Sequence, residues 1–412
     1  MKKPPAITFI LVTVLIDVMG IGLLLPVIPS LVGEFTTSRD AQTYWYGALM
    51  VTFGLAQFLC APLLGALSDR YGRRPILLAS IAGLGTMFYL SAVVETLAAL
   101  VATRMLGGAL AANFSVANAY VADITPPEGR AKGFGMIGAA FGIGFIIGPA
   151  AGGLLGAIDI RLPFYAAAAL SLLNWLYGLL VLPESLPQDR RKPVDFGKAN
   201  PFSALAGLAR LKNVGVLVAV IGLFTLAQFV LHGTWVLFTT FRFNWGPFEN
   251  GMSLFVVGLT AAIVQGGLLG LLLKRMGERT VVLAGLTSGM FAYLAYALAP
   301  QGWMMYAIIF ANLLAFAVGP AMNAIVSKAA DPREQGVAMG SLSSLGSLTA
   351  VVAPLLGAPL LAEVSHLPAG DWRIGAPFFL SAALQAFALA LAAWHFARQR
   401  RPAAHVLPTP RS

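Results

Sequence analysis

The sequence predicts an all-α membrane protein, with twelve transmembrane helices arranged as two six-helix bundles. Three observations predict this class. First, the 412 residues are 58% hydrophobic and only 11% charged, whereas a soluble domain carries about 25% charged residues. Second, the apolar residues fall into twelve runs, each long enough to cross roughly 30 Å of hydrocarbon. Third, the chain repeats itself at an offset of 205 residues, with Gly65/Gly270, Arg70/Arg275, Gly72/Gly277, Arg74/Arg279 and Pro149/Pro354 in register. Two similar halves in one membrane chain are the signature of parallel repeats.

The runs are expected at 7–31, 45–67, 76–95, 97–123, 133–157, 162–182, 214–239, 250–273, 280–299, 302–326, 335–362 and 374–397. Met1-Lys2-Lys3 before an apolar run resembles a signal peptide. The run from Ile7 to Leu31 is too long for one and lacks a small-x-small cleavage site, so it is expected to remain as the first helix. The division is then 1–182 for the first bundle, 183–213 for a cytoplasmic linker, 214–397 for the second bundle and 398–412 for a disordered basic tail. The linker carries Asp189-Arg190-Arg191-Lys192-Pro193, too polar to insert, with a short surface helix expected around Phe202–Arg210.

Charge placement sets the topology. With both termini on the same side, that side holds 22 of the 27 Lys and Arg residues. The opposite loops hold only Arg39, Arg161, Arg242 and Arg373, and Arg104 lies inside a span. The basic side is the cytoplasmic one by the positive-inside rule. A bacterial inner membrane is the expected location. The formal charge of +10 therefore reflects topology and does not indicate a nucleic-acid partner. The single cysteine, Cys60, rules out a disulfide framework or a cysteine metal site. No Gly-x-x-x-x-Gly-Lys-[Ser/Thr] occurs, no soluble domain stands out and no catalytic constellation appears. An ATP-driven pump or a membrane enzyme is therefore not expected, nor is a cofactor or metal.

Between the second and third runs lies Gly65-Ala66-Leu67-Ser68-Asp69-Arg70-Tyr71-Gly72-Arg73-Arg74-Pro75, with net charge +2. Four charges cannot sit cheaply in hydrocarbon, so this is a turn outside the bilayer core. Gly-x-x-x-Asp-Arg-x-Gly-Arg-Arg at this place resembles the signature of the major facilitator superfamily. The resemblance implies the major facilitator fold and a gate on the cytoplasmic side. In that gate Asp123, at the end of the fourth span, pairs with Arg73, and Asp69 meets a helix N-terminus of the other half. Gly65, Arg70, Gly72 and Arg74 complete the motif. Exposed ion pairs are worth only about 0–1 kcal/mol, weak enough to break in each cycle.

Asp17 lies deep in the first run, and a carboxylate inside a membrane marks a functional group by default. Removal from water disfavours the charged form, so such a group can take up a proton in one conformation and release it in another. Asp17, Gly22, Pro26 and Pro29 form Asp-x-x-x-x-Gly followed by Pro-x-x-Pro. This resembles the twelve-span drug:H⁺ antiporter branch, and the tetracycline-exporter group over nearly the whole length. Arg104 begins an Arg-x-x-x-Gly similar to that family's fourth span and joins Asp17 as the expected proton-coupling pair. By helix rise, Asp17 lies roughly 15 Å above Ile7 and Arg104 about 28 Å above Asp123, so direct contact between them is not expected. Arg104, Gly108, Ser115 and Asn118 would share one helical face, with Asn113 opposite.

The fifth run carries Gly144, Gly148, Pro149, Gly152 and Gly153, which resemble the motif that separates antiporters from uptake symporters. Glycine this dense lets helices touch backbone to backbone. Polar stripes provide an expected substrate cavity: Gln57, Ser115 and Asn118 in the first half, and Gln228, His232, Trp235, Gln265, Asn312 and Phe316 in the second. A cavity of amides and rings suits amphipathic, ring-bearing molecules. Typical tetracycline exporters place an acid in the third span, a His in the eighth and an acid in the ninth. Here those places hold Met87, Ala261 and Gly289, with His232 as the alternative second titrating group. The implied activity is proton-coupled export of amphipathic small molecules or drugs by alternating access. The alternative is a proton-coupled uptake symporter for a small metabolite. The expected partners are a small-molecule substrate, protons and the lipid bilayer, with the chain working as a monomer.

Overall fold

The computed structural model describes residues 7–111, 113–126, 129–194, 215–329 and 335–399. The surface helix expected near Phe202–Arg210 and the tail beyond residue 399 lie outside the described residues. Those residues form helices, turns and loops, with no strand among them. The first half contains α1 (Ile7–Leu24), α2 (Ile28–Glu34), α3 (Arg39–Tyr71), α4 (Arg73–Val93), α5 (Leu97–Leu110), α6 (Asn113–Ile124), α7 (Arg130–Ile158) and α8 (Leu162–Val181). The second half contains α9 (Gly215–Phe243), α10 (Pro247–Ile263), α11 (Leu269–Met276), α12 (Glu278–Leu298), α13 (Trp303–Ala311), α14 (Val318–Ala329), α15 (Gln335–Val364) and α16 (Ala376–Gln399). Among the described residues, eleven helices or continuous helix pairs are long and apolar enough to cross a bilayer. A twelfth span is the pair Trp303–Ala311 and Leu313–Lys328, bent by 53°.

Several expected single helices are broken, each for a local reason. Pro26 lies in the turn between α1 and α2, where its missing N–H cannot continue the ladder. The fourth span stops at Ala111, whose φ and ψ are −80° and 58°. The Gln57 side-chain amide on α3 donates through Nε2 to the Ala111 carbonyl at 2.9 Å, replacing a helical bond. The tenth span breaks at Asn312 into a 3₁₀ turn, Leu313–Ala317. The eighth carries a π-helical segment, Val264–Leu268, between α10 and α11. α3 is longer than the expected 45–67. The Ser38 hydroxyl accepts from the Ala41 N–H and starts the helix in the polar loop.

The repeat is visible in the backbone. Gly72 has φ +106° and Gly277 φ +75°; both lie in the turn after a basic helix end, where an L side chain is strained. Buried side chains show how the halves meet. At the end away from these turns, one core runs through both, joining Leu23, Leu31, Leu49 and Phe88 to Trp235, Phe238, Tyr296 and Phe378. Towards the basic turns it divides. One core there belongs to the first half, with Ile10, Leu77, Tyr120 and Ile137. The other belongs to the second, with Leu217, Val281, Val326 and Phe396.

The halves touch along two seams, α7 against α10 and α3 against α15. A Cβ on Gly153 would lie 2.7 Å from the Pro247 carbonyl oxygen and 2.9 Å from the Gly251 Cα. One on Gly47 would lie 2.5 Å from the Ala358 Cβ. Nearer the basic turns, Gly65, Gly138, Gly142, Gly266 and Gly270 face open space.

Candidate transport site

Asp17 is half-buried on α1, and its Oδ1 accepts a hydrogen bond of 2.8 Å from the Asn113 Nδ2. Asn113 is the first residue of α6, directly after the break in the fourth span. The expectation that Asn113 lies opposite the functional face is therefore corrected. It assumed one continuous helix, and the interruption at Ala111 resets the rotation. α1 packs on α6, α7 and α8, and apart from Asp17 it carries no charged residue.

Arg104 is buried at 5% exposure. It makes no contact with Asp17, as the helix-rise argument expects. Its guanidinium carbon lies 5.9 Å from the centroids of both Phe53 and Phe88, and its terminal nitrogen donates to the Ser91 Oγ at 3.4 Å. Cation–π contact in a desolvated place holds such a charge without an acid. Ser115 is exposed, and the Asn118 Nδ2 donates to the Phe114 carbonyl.

The basic turn forms a charge cluster. The Arg73 Nε bonds the Asp123 Oδ2 at 2.9 Å, and another of its nitrogens lies 2.7 Å from the Asp69 Oδ1. A third donates to the Ser68 Oγ at 2.6 Å. Asp69 therefore pairs within its own half, not with a helix N-terminus of the other. The halves are apart at this end, so Arg73, four residues on across the Gly72 turn, takes the carboxylate. The cluster is also less exposed than expected, with the Arg73 side chain at 9%. Arg70 is exposed and lies over the Tyr71 ring, while Arg74 donates to the Leu179 carbonyl at 2.6 Å.

Glu184, which sequence reasoning missed, holds this cluster to the start of the linker. Its carboxylate accepts from the Arg73 and Arg74 backbone N–H groups at 2.8 and 3.3 Å, a charge placed on amides of the α4 N-terminus that have no partner within the helix. Ser185 Oγ donates to Asp123, Tyr120 donates to the Pro183 carbonyl, and the Lys192 N–H donates to the Asp69 carbonyl. The signal available in the sequence was an acid one residue after Pro183, where a polar linker leaves the sixth span.

The glycine motif of α7 serves two neighbours. Gly144, Gly148 and Gly152 lie against α1; a Cβ on Gly148 would meet the Gly22 Cα at 2.8 Å. Gly153 and the Pro149 carbonyl face Gly251 of the other half.

In the second half Gln228, His232, Trp235, Asn312 and Phe316 line one cleft, together with Tyr293 and Tyr296. Gln265 does not line it; the π-helical turn leaves that side chain exposed elsewhere. The Trp235 Nε1 donates to the Ser253 Oγ at 3.0 Å, and its ring meets Tyr296 edge-on at 5.2 Å. The Asn312 Oδ1 accepts from the Ser288 Oγ at 2.8 Å. At Gly289, the space a side chain would need is taken by Gln385. A Cβ there would lie 2.6 Å from the Gln385 Nε2.

Membrane-length helices in two sequence-related halves, with a half-buried acid in the first and an aromatic cleft in the second, define a membrane transporter. The interrupted fourth and tenth spans occupy corresponding positions in the two halves, as in transporters built from repeats. The chain belongs to the Major Facilitator Superfamily, whose sequence profile matches residues 10–354 and 268–411. The twelve-span helical class and the family expected from the basic turn are both borne out. Tetracycline resistance protein, class C, of Escherichia coli is 40% identical over 382 residues, covering 92% of this chain and 96% of its own. The class B protein of Escherichia coli is 33% identical over 372 residues, covering 90% and 92%. Among solved structures, the human organic anion transporter MFSD10 matches with a TM-score of 0.68 at 27% identity, over 94% of this chain and 98% of that one. The nucleoside transporter NupG matches with a TM-score of 0.71 at 14% identity, over 96% and 99% of the two chains, and shares the fold alone.

Proposed function

We propose that this protein exports an amphipathic, ring-bearing small molecule of the kind handled by tetracycline exporters, in exchange for protons, across a bacterial inner membrane. Both termini face the cytoplasm, and one copy of the chain suffices. The observation that carries the reading is Asp17, a half-buried carboxyl on an otherwise uncharged membrane helix, held by a single amide. The divided core at the basic end and the joined core at the other support an inward-open state. Each bundle moves as a rigid body about the far-end seams. In the outward-open state Asp17 takes up a proton; in the inward-open state it releases that proton as substrate binds. Asp17 and Arg104 serve the proton, the Arg73 cluster gates the cytoplasmic side, and the cleft around Trp235 and Phe316 takes the rings.

A drug-susceptibility panel in an efflux-deficient host, with tetracycline included, identifies the compound. Uptake of that compound into inverted vesicles under an imposed pH gradient then tests the direction. Proton-driven accumulation inside inverted vesicles is expected. Accumulation only in right-side-out vesicles would establish an uptake symporter instead.

A further inference from the structure

The fourth span is built as two pieces with different anchors. α5 is fixed to α3 and α4, because Arg104 is held between Phe53 and Phe88 and Gln57 bonds the Ala111 carbonyl. α6 begins afresh at Asn113, whose side chain reaches α1. The Asn113 amide is buried at 5% exposure. Its Nδ2 donates to the Asp17 Oδ1 at 2.8 Å, while its Oδ1 has no hydrogen-bond partner among the described residues. A buried acceptor beside a carboxyl group has one obvious donor. An ionised carboxylate has no hydrogen to offer, whereas a protonated one has an O–H.

We propose that Asn113 is the positioning residue that reads the protonation state of Asp17 and turns it into movement of α6 against α1. When Asp17 is protonated, its O–H donates to the Asn113 Oδ1 while the Nδ2 donates to the other carboxyl oxygen. Acid and amide then share two hydrogen bonds in one ring, and the first turn of α6 is pinned to α1. Release of the proton to water removes one of the two bonds and leaves the Oδ1 bare, which frees α6 to pivot at the break after Ala111.

The surroundings leave this task to the amide. α6 carries one other charge, Asp123, ten residues on, roughly 15 Å along the helix. α7 carries Arg130 and Lys132, both in its first turn. α8 has Tyr165 and Tyr177 as its titratable side chains. Arg104 on α5 is engaged by its rings and Ser91. The inference rests on the reading of Asp17 as the proton carrier, and the test separates the two.

Three variants are reconstituted in proteoliposomes: Asp17→Asn, Asn113→Leu, and the exchange Asp17→Asn with Asn113→Asp. Proton-coupled exchange of the compound found in the susceptibility panel is measured, and the infrared carbonyl band of the protonated carboxyl is recorded. Asn113→Leu should slow exchange about tenfold, the loss of roughly one hydrogen bond, and move the carbonyl band toward that of an unbonded acid. The exchanged pair should recover most of the activity lost in Asp17→Asn, because acid and amide still face each other. Wild-type exchange with an unmoved band in Asn113→Leu, or an inactive but folded exchanged pair, would overturn the role of Asn113. Full activity in Asp17→Asn alone would instead overturn the reading of Asp17.

Discussion

Arg73 bonds Asp123 at 2.9 Å, and at the same two places 205 residues later Glu278 bonds Lys328. The ion pair is duplicated with its sign reversed. In the second half the acid begins α12 and the base ends α14, the arrangement that the helix dipole favours. In the first half the cation begins α4 against the dipole, and Glu184 supplies the missing negative charge at that N-terminus. The two latches should therefore differ in strength. Asp123→Asn leaves a buried guanidinium short of a partner and should lower stability by about 1–3 kcal/mol. Glu278→Gln disrupts a pair whose lysine is largely exposed and should cost about 0–1 kcal/mol. Thermal unfolding of the purified variants in detergent checks the order. Equal losses would show that Arg73 is not confined as described.

Glu184 ties the linker to the basic turn, and this can be tested apart from transport. Glu184→Ala removes a carboxylate that accepts from three backbone N–H groups, those of Arg73, Arg74 and Leu186. The strap at Arg190–Lys192 should then be cut by trypsin several-fold faster in inverted vesicles. An unchanged cutting rate would mean that the strap is held elsewhere.

Gly153 closes the far end only because it has no side chain. Gly153→Leu would drive carbon into the Pro247 carbonyl and the Gly251 backbone, neither of which can turn aside. Transport should stop, and the far end should stay open. A cysteine placed at His232 in a Cys60→Ser background should then react several-fold faster with an impermeant thiol reagent added from the outside. Unaltered labelling with retained transport would refute the seam between α7 and α10 as the outer closure.

The second-half cleft should contribute binding more than stability at Phe316, a partly buried ring on its wall. Phe316→Ala should weaken binding of the transported compound about tenfold, near 1.4 kcal/mol, with little change in unfolding temperature. Quenching of tryptophan fluorescence on titration reports the affinity. An unchanged affinity would place the rings outside this cleft.

Much of this was legible in the residues. Hydrophobic runs and charge placement identify the spans, and the 205-residue offset identifies the halves, because a bilayer punishes misplaced charge more severely than water does. The Arg73–Asp123 contact was implied by the resemblance of the basic turn to the major facilitator signature, and the two side chains do meet. The breaks were not legible. Ala111 and Asn312 lie inside apolar runs, and both residues have tertiary partners at the break: Gln57 on the Ala111 carbonyl and Ser288 on the Asn312 side chain. That hid Asn113, since a face extrapolated through a broken helix points the wrong way. Asp69 was misassigned because its partner depends on which side of the molecule is open. Gln385 filling the space beside Gly289 is a long-range substitution that spacing along the chain does not encode.

The central claim is that Asp17 exchanges a proton as substrate crosses. It is tested most directly in inverted vesicles that hold a pH gradient reported by a quenched dye, with addition of the compound identified in the susceptibility panel. Wild-type protein should dissipate the gradient on addition, whereas Asp17→Asn should bind the compound and leave the gradient intact. Equal dissipation by the two proteins would contradict the account.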